Sequence, residues 1–335
     1  MDSNVPMREF LDYDIKYPNL VLDIIDYFSI ENGDINQKSI QKFITSYTGI
    51  KGDIPLQPDV IGKICDRLCE FRLLSNLRKS GNMCLDDSYI YVPRNQDYRN
   101  NNPDVFRLMY NSVSYGFEYI YRNYLDRVLP IVVYTNEGET LGTCFRLFNG
   151  LVTARHCLKD GEQRAIQGYT AEFLRNCKVY VSQDPNIDVA FIDTGEVMLA
   201  NFDDPHILDE VLVMGYPRIS LFLNFCTAEK ANISSMAKIR MTPTRGSILA
   251  EGKLYYPKGM PSLLLITAKI SGGNSGGPII NNKGLVVGVA TGLPGGETEE
   301  GMDIGYGIAY PISVIRDIIL ENNTEEFDFI NFPEE

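Results

Sequence analysis

The 335-residue chain has no tryptophan, only two histidines, and seven scattered cysteines, and each scarcity removes a class of function. With only His156 and His206 to draw on, and no Cys-x-x-Cys pair, the ligands for a zinc site are missing, so neither a metal nor a cofactor is expected. An odd set of dispersed cysteines does not make the dense framework of a disulfide-stapled protein, and free thiols are the expectation. No apolar run approaches the length of a bilayer span, so no membrane association is expected. The opening residues 1–10 lack both a basic n-region and an apolar stretch of signal-peptide length, which points to a cytoplasmic location. Basic charge is also in deficit, and a net charge of −13 argues against general affinity for nucleic acid or anionic lipid.

The charge that is present is unevenly spread. Residues 1–100 hold 12 basic and 15 acidic residues and the remainder holds 19 and 29. No basic residue follows Arg316, and six acids lie between Glu321 and Glu335. There Glu325-Glu326-Phe327-Asp328-Phe329 alternates acids with aromatics, a pattern that suits either a docking strand or a tail packed on its own domain, the second being preferred.

The most informative stretch is Gly272-Gly273-Asn274-Ser275-Gly276-Gly277-Pro278, which reads as a serine nucleophile in a glycine-rich turn before a core strand. Serine attacks only with an adjacent base and with N–H donors aimed at the oxyanion that forms, and flanking glycines let the backbone fold tightly enough to supply them. The base is His156, delivered by the β-branched run Leu151-Val152-Thr153. A carboxylate to orient it is Asp188, which precedes the apolar run Val189-Ala190-Phe191-Ile192. The three occur in the order His, Asp, Ser.

That order and those local sequences resemble the trypsin/chymotrypsin-like serine proteases, and Gly-Asn-Ser-Gly-Gly-Pro is most similar to their HtrA-like bacterial branch. The resemblance covers residues 128–320 and implies a mainly β domain of two six-stranded antiparallel barrels with the triad between them. It implies Ser275 as nucleophile, His156 as general base and acid, Asp188 as the group fixing the imidazole tautomer, and the N–H groups of Gly273 and Ser275 as the oxyanion hole. A protein or peptide substrate follows. The peptide-binding module that HtrA-like relatives carry after the protease domain is not expected in the short tail, and their trimeric assembly is not carried over.

Two positions depart from the secreted enzymes or bear on specificity. Where those enzymes place an Asp before the serine to pair with a new N-terminus, this chain has Asn274, which cannot form that ion pair. Cleavage between Arg127 and Val128 is therefore not the expected switch, and control by conformation, ligand or partner is. By family position the base of the pocket falls at Lys269, which would attract an acidic side chain unless it points to solvent, and the wall at Val287–Gly292, including Ala290 and Thr291.

The first hundred residues read differently. Apolar spacing predicts helices over 19–28 and 37–44 and a third starting near Pro58, with Ile61, Ile64, Cys65, Leu68 and Leu73 on one stripe. A two-stranded wing is expected from 74–82 and 88–92, which makes residues 1–93 similar to a winged-helix α+β domain. Residues 94–127 are expected as a polar linker and one aromatic helix from Pro103 to Tyr124, and 321–335 as an acidic tail. In the winged-helix domain Lys63, Arg67, Arg72, Arg78 and Lys79 are available to phosphates, yet Asp59, Asp66 and Glu70 share the third helix, so an interaction module is favoured over DNA binding. Three functions remain: a regulated cytoplasmic endopeptidase with a partner or ligand at its first domain, a DNA-associated regulator with a protease domain, and an inactive scaffold on a protease fold.

Overall fold

The computed structural model describes residues 13–31, 33–34, 37–47, 56–80, 84–92, 103–136, 138–159, 161–196, 201–217, 240–252, 262–291 and 306–332. The chain divides into two units, Met1–Ile120 and Tyr121–Glu335. The linker expected at 94–102 and the pocket residue Gly292 lie outside the described residues.

In the first unit, helices Leu20–Tyr27, Ile40–Ser46 and Pro58–Glu70 precede an antiparallel pair, β1 (Ser75–Arg78) and β2 (Ser88–Ile90). Ser39 caps the second helix through its hydroxyl, which accepts from the Lys42 N–H, and Pro58 stands where a helix has no use for an N–H. The helical apolar stripes meet in one core containing Leu20, Ile24, Phe28, Ile40, Phe43, Ile61, Ile64, Leu68 and Tyr89. Leu108, Tyr110 and Val113 join that core, so the helix from Pro103, expected within a separate segment 94–127, belongs to this unit, which ends at Ile120. The single aromatic helix expected over 103–124 is broken in two, Pro103–Tyr115 and Phe117–Tyr124. The cause is Gly116, which takes φ +78° while Arg67 reaches across to the Ser114 carbonyl at 3.1 Å. A Cβ at Gly116 would stand 3.0 Å from that guanidinium.

The second unit is built from two antiparallel β layers. The first contains β3 (Val128–Thr135), β4 (Gly138–Leu147), β5 (Gly150–Thr153), β6 (Gln163–Ile166), β7 (Lys178–Val181) and β8 (Ala190–Asp193). The second contains β9 (Glu210–Gly215), β10 (Thr242–Gly252), β11 (Leu263–Ile266), β12 (Pro278–Asn281), β13 (Val286–Thr291) and β14 (Gly307–Pro311). The second closes as a six-stranded barrel, β10-β11-β14-β13-β12-β9, around Val211, Val213, Ile248, Ile266, Ile279 and Val287.

The first layer is not the six-stranded barrel that was expected. It is a seven-stranded sheet, β15-β7-β8-β5-β4-β3-β6, whose extra member β15 (Thr324–Glu325) comes from the acidic tail after helix Ser313–Glu321. The tail spans the two edges: Thr324 and Glu325 pair with β7, and Phe329 bridges to Arg164 of β6. Phe329 is buried with Ile131, Leu151, Val181 and Ile192, and Phe327 packs against the same core, so Glu326 and Asp328 face outward while Glu325 is half-buried. Among the described residues no helix is long and apolar enough to cross a membrane.

Candidate active site

His156 and Asp188 meet because of strand register. β5 and β8 run antiparallel with Thr153 opposite Ala190, so residues just past the end of β5 and just before β8 emerge at the same edge. The chain turns there from buried Leu151-Val152-Thr153 into the short helix His156–Lys159. Asp188 receives the ring Nδ1 of His156 at 2.6 Å on Oδ2 and the His156 backbone N–H at 2.8 Å on Oδ1. Two contacts from one residue fix both the turn and the plane of the ring.

One further group holds the carboxylate, and a tyrosine holds the backbone of the same residue. The Thr291 hydroxyl donates to Asp188 Oδ2 at 2.7 Å, the Asp188 N–H donates to the Tyr310 hydroxyl at 3.4 Å, and Tyr310 in turn donates to the Asn186 carbonyl at 2.9 Å. Thr291 and Tyr310 stand on strands of the closed barrel, so the acid that orients the imidazole is clamped from the opposite layer. Burial pulls the His156 pKa down, but its hydrogen bonds and charge interactions with Asp188 and Cys157 outweigh that and leave it raised. Burial raises Asp188, and its contacts with His156 and Thr291 overcome this and leave it lowered. Both directions mark a tightly paired imidazole and carboxylate.

Ser275 sits in the turn between β11 and β12, and its backbone is anchored to the His156 side. Its carbonyl accepts from the Thr143 N–H at 2.9 Å and from the Cys157 thiol at 3.6 Å. The Thr143 hydroxyl donates to the Gly273 carbonyl at 2.7 Å and accepts from the Tyr216 N–H at 3.0 Å. Gly276, at φ +85°, donates to the Ala290 carbonyl at 2.8 Å, and a Cβ there would lie 2.1 Å from the Thr143 carbonyl oxygen. Only glycine fits that approach. Gly273 also has positive φ, at +98°.

Among the described residues no acceptor takes the N–H of Gly273 or of Ser275, which leaves both available to an oxyanion. No hydrogen bond joins the Ser275 hydroxyl to the His156 ring among those residues; such bonds tighten when substrate is bound. His206 is elsewhere, exposed and 3.6 Å from Asp209.

The pocket positions behave differently from the expectation. Ala290 is wholly buried in the barrel core, with its N–H and carbonyl bonded to the Gly276–Gly277 turn, and Thr291 is buried with its hydroxyl on Asp188. Neither lines an open wall, because both serve as backing for the serine turn and the acid. Lys269 is exposed, and its carbonyl accepts from the Thr244 hydroxyl at 2.8 Å. Asn274 is buried beside Gly215, and its Oδ1 has no donor among the described residues. Val128 is the buried first residue of β3, opposite Phe145, with its carbonyl accepting from the Tyr216 hydroxyl at 3.0 Å. Cys144 and Cys157 are buried free thiols. Thr291's role as a carboxylate clamp, Tyr310 and the Cys157 contact left no motif in the sequence, since each depends on pairing between distant strands.

The family model described as trypsin-like peptidase domain matches residues 142–289. The chain is 28% identical over 161 residues to the magnetosome formation protease MamE of Paramagnetospirillum magneticum, covering 46% of this chain and 18% of that protein. MamE of Magnetospirillum gryphiswaldense is 29% identical over 144 residues, covering 41% and 16%. The chain therefore spans less than a fifth of the length of these curated relatives. Among solved structures, the active form of the Rv3671c protease from M. tuberculosis superposes with a TM-score of 0.43 at 18% identity, over 62% of this chain and 85% of that one. Residues 142–289, which include His156, Asp188 and Ser275, therefore match a trypsin-like peptidase domain.

Proposed function

We infer that this protein is a serine endopeptidase that cleaves protein substrates through Ser275, His156 and Asp188. His156 removes the Ser275 proton during attack and returns it to the leaving amine, while Asp188 keeps the proton on Nδ1 and stabilises the imidazolium. The N–H groups of Gly273 and Ser275 bind the oxyanion, and water then releases the acyl-enzyme by the same steps in reverse. The observation that carries this reading is the double hold of Asp188 on His156, set beside a serine turn whose carbonyl is bonded from the residue after that histidine.

Regulation by a ligand, partner or conformational change fits Asn274 and the embedded position of Val128, which offer no new N-terminus and no ion pair to receive one. The HtrA-like character rests on the Gly-Asn-Ser-Gly-Gly-Pro turn. Buried, unpaired Cys144 and Cys157 suit a reducing compartment and support the cytoplasmic assignment. In the first unit Lys79 is paired with Asp66 and Asp87, Arg67 is bonded to Ser114, and Arg78 donates to the Asp86 carbonyl at 3.2 Å. Cations occupied within the fold favour a winged-helix-like protein-interaction module over a DNA reader. Hydrolysis of an unfolded protein by wild type, abolished in Ser275→Ala and His156→Ala, tests the reading; cleavage that survives both substitutions sinks it.

A further inference from the structure

The tail segment that completes the first sheet also reaches the candidate site. The Glu321 carboxylate accepts from the Ser182 hydroxyl at 3.0 Å and the Gln183 N–H at 2.7 Å. Asn323 exchanges bonds with Val181, accepting its N–H at 3.1 Å and donating to its carbonyl at 3.3 Å. Beyond β15, Arg175 donates to the Phe329 carbonyl at 2.6 Å, and Phe329 is buried. Glu325 is thus held by fixed backbone on both sides.

Its carboxylate is bound by Arg155, the residue immediately before His156. Arg155 is 7% exposed, and its other terminal nitrogen donates to the carbonyls of Ser182 at 3.2 Å and Asp184 at 3.5 Å. Asp184 then accepts from the Asn186 N–H at 2.9 Å, two residues before Asp188. One buried guanidinium therefore joins the histidine turn, the head of the loop that carries the orienting acid, and the tail. Among the described residues Glu325 is the carboxylate that pairs with it, and a buried cation stripped of its partner relaxes toward water or another anion.

We propose that Arg155 and Glu325 are positioning residues for the His156–Asp188 pair, and that the tail segment 321–329 is a working part of the site. The inference rests on the serine endopeptidase reading and names what aligns its base. Asp188 holds the His156 ring and N–H directly, and the Arg155 side chain adds a second tie between the same turn and the head of the Asp188 loop. Loss of the tie misplaces base against nucleophile without touching either.

The test uses the full chain and the rate of fluorophosphonate labelling across pH, with melting temperature followed in parallel. Glu325→Gln keeps shape and removes charge; Arg155→Lys keeps charge and removes the fork that bonds two carbonyls and a carboxylate together. Exposed Glu326→Gln is the neighbouring control. The expected result is labelling slowed roughly 10- to 100-fold in both variants with a displaced pH midpoint, unchanged melting, and a control at the wild-type rate. With two histidines in the chain, the His156 imidazole resonance is easily assigned and should move in Glu325→Gln. Should Arg155→Lys fail to fold, Glu325→Gln decides alone. Wild type that labels, with Glu325→Gln within twofold of it and an unmoved midpoint, overturns the proposal, as does slowing that merely follows a fall in melting temperature. Wild type that never labels, even with source-cell lysate, overturns the endopeptidase reading and the proposal with it.

Discussion

The Cys157 thiol, one residue past His156, donates to the backbone carbonyl of Ser275 across 3.6 Å. That carbonyl also takes the Thr143 N–H, so the nucleophile's turn is pinned to the strand layer that carries the base. Alignment of the sheet and the barrel is thus written into backbone contacts, independent of any bond between the reacting side chains.

Cys157→Ala removes one of those contacts and some buried volume. A stability loss of about 1–2 kcal/mol is expected, with labelling of Ser275 slowed by roughly tenfold. Cys157→Ser retains a donor and should recover most of the rate. Chemical denaturation and labelling kinetics on the same preparations check both halves.

The paired imidazole and carboxylate set the pH response. His156 is raised above its ordinary 6.5, so its share of stability is full below 6.5 and fades as pH climbs through the folded value. Asp188 is lowered from 3.8, so its share is present above 3.8 and fades as pH falls through the folded value. The pair stabilises most between those limits. Since catalysis needs the neutral ring, the acid limb of kcat/KM should lie above 6.5, and Asp188→Asn should move it down while lowering kcat by about 10⁴-fold.

Thr291→Ala leaves Asp188 Oδ2 without its hydroxyl donor. A fall of roughly tenfold in kcat is expected with little change in KM, because the loss acts through the acid's orientation. Thr291→Ser keeps the donor and should keep the rate. Equal losses in both would assign the effect to packing.

Gly276→Ala places a Cβ against the Thr143 carbonyl at a backbone angle unsuited to it. The expected cost is about 3 kcal/mol or more, with labelling abolished, and calorimetry with labelling decides. A folded variant labelled at the wild-type rate would show that the turn relaxes freely.

His156, Asp188 and Ser275 were legible because each adjoins an apolar run that forms a strand, and the chain offers one candidate base at a strand end. The closed barrel was what the family resemblance implied, while the other layer is an open seven-stranded sheet. What stayed hidden depends on long-range pairing. The alternating tail carried a strand's pattern, yet only the unpaired edge of β7 determines that Glu325 lands beside Arg155. Thr291 looked like pocket wall by position, since one-residue register decides whether its hydroxyl meets substrate or Asp188. The break at Gly116 had a visible signal, a glycine inside a helical pattern, which aromatic periodicity overrode.

The most direct measurement is fluorophosphonate treatment of wild type, Ser275→Ala and His156→Ala, alone and with source-cell lysate, followed by peptide mapping. The account predicts a single adduct on Ser275 in wild type, none in Ser275→Ala, and a rate in His156→Ala lower by about 10³-fold or more. No adduct on Ser275 under either condition, in protein shown to be folded, would contradict it and leave an inactive scaffold on a protease fold.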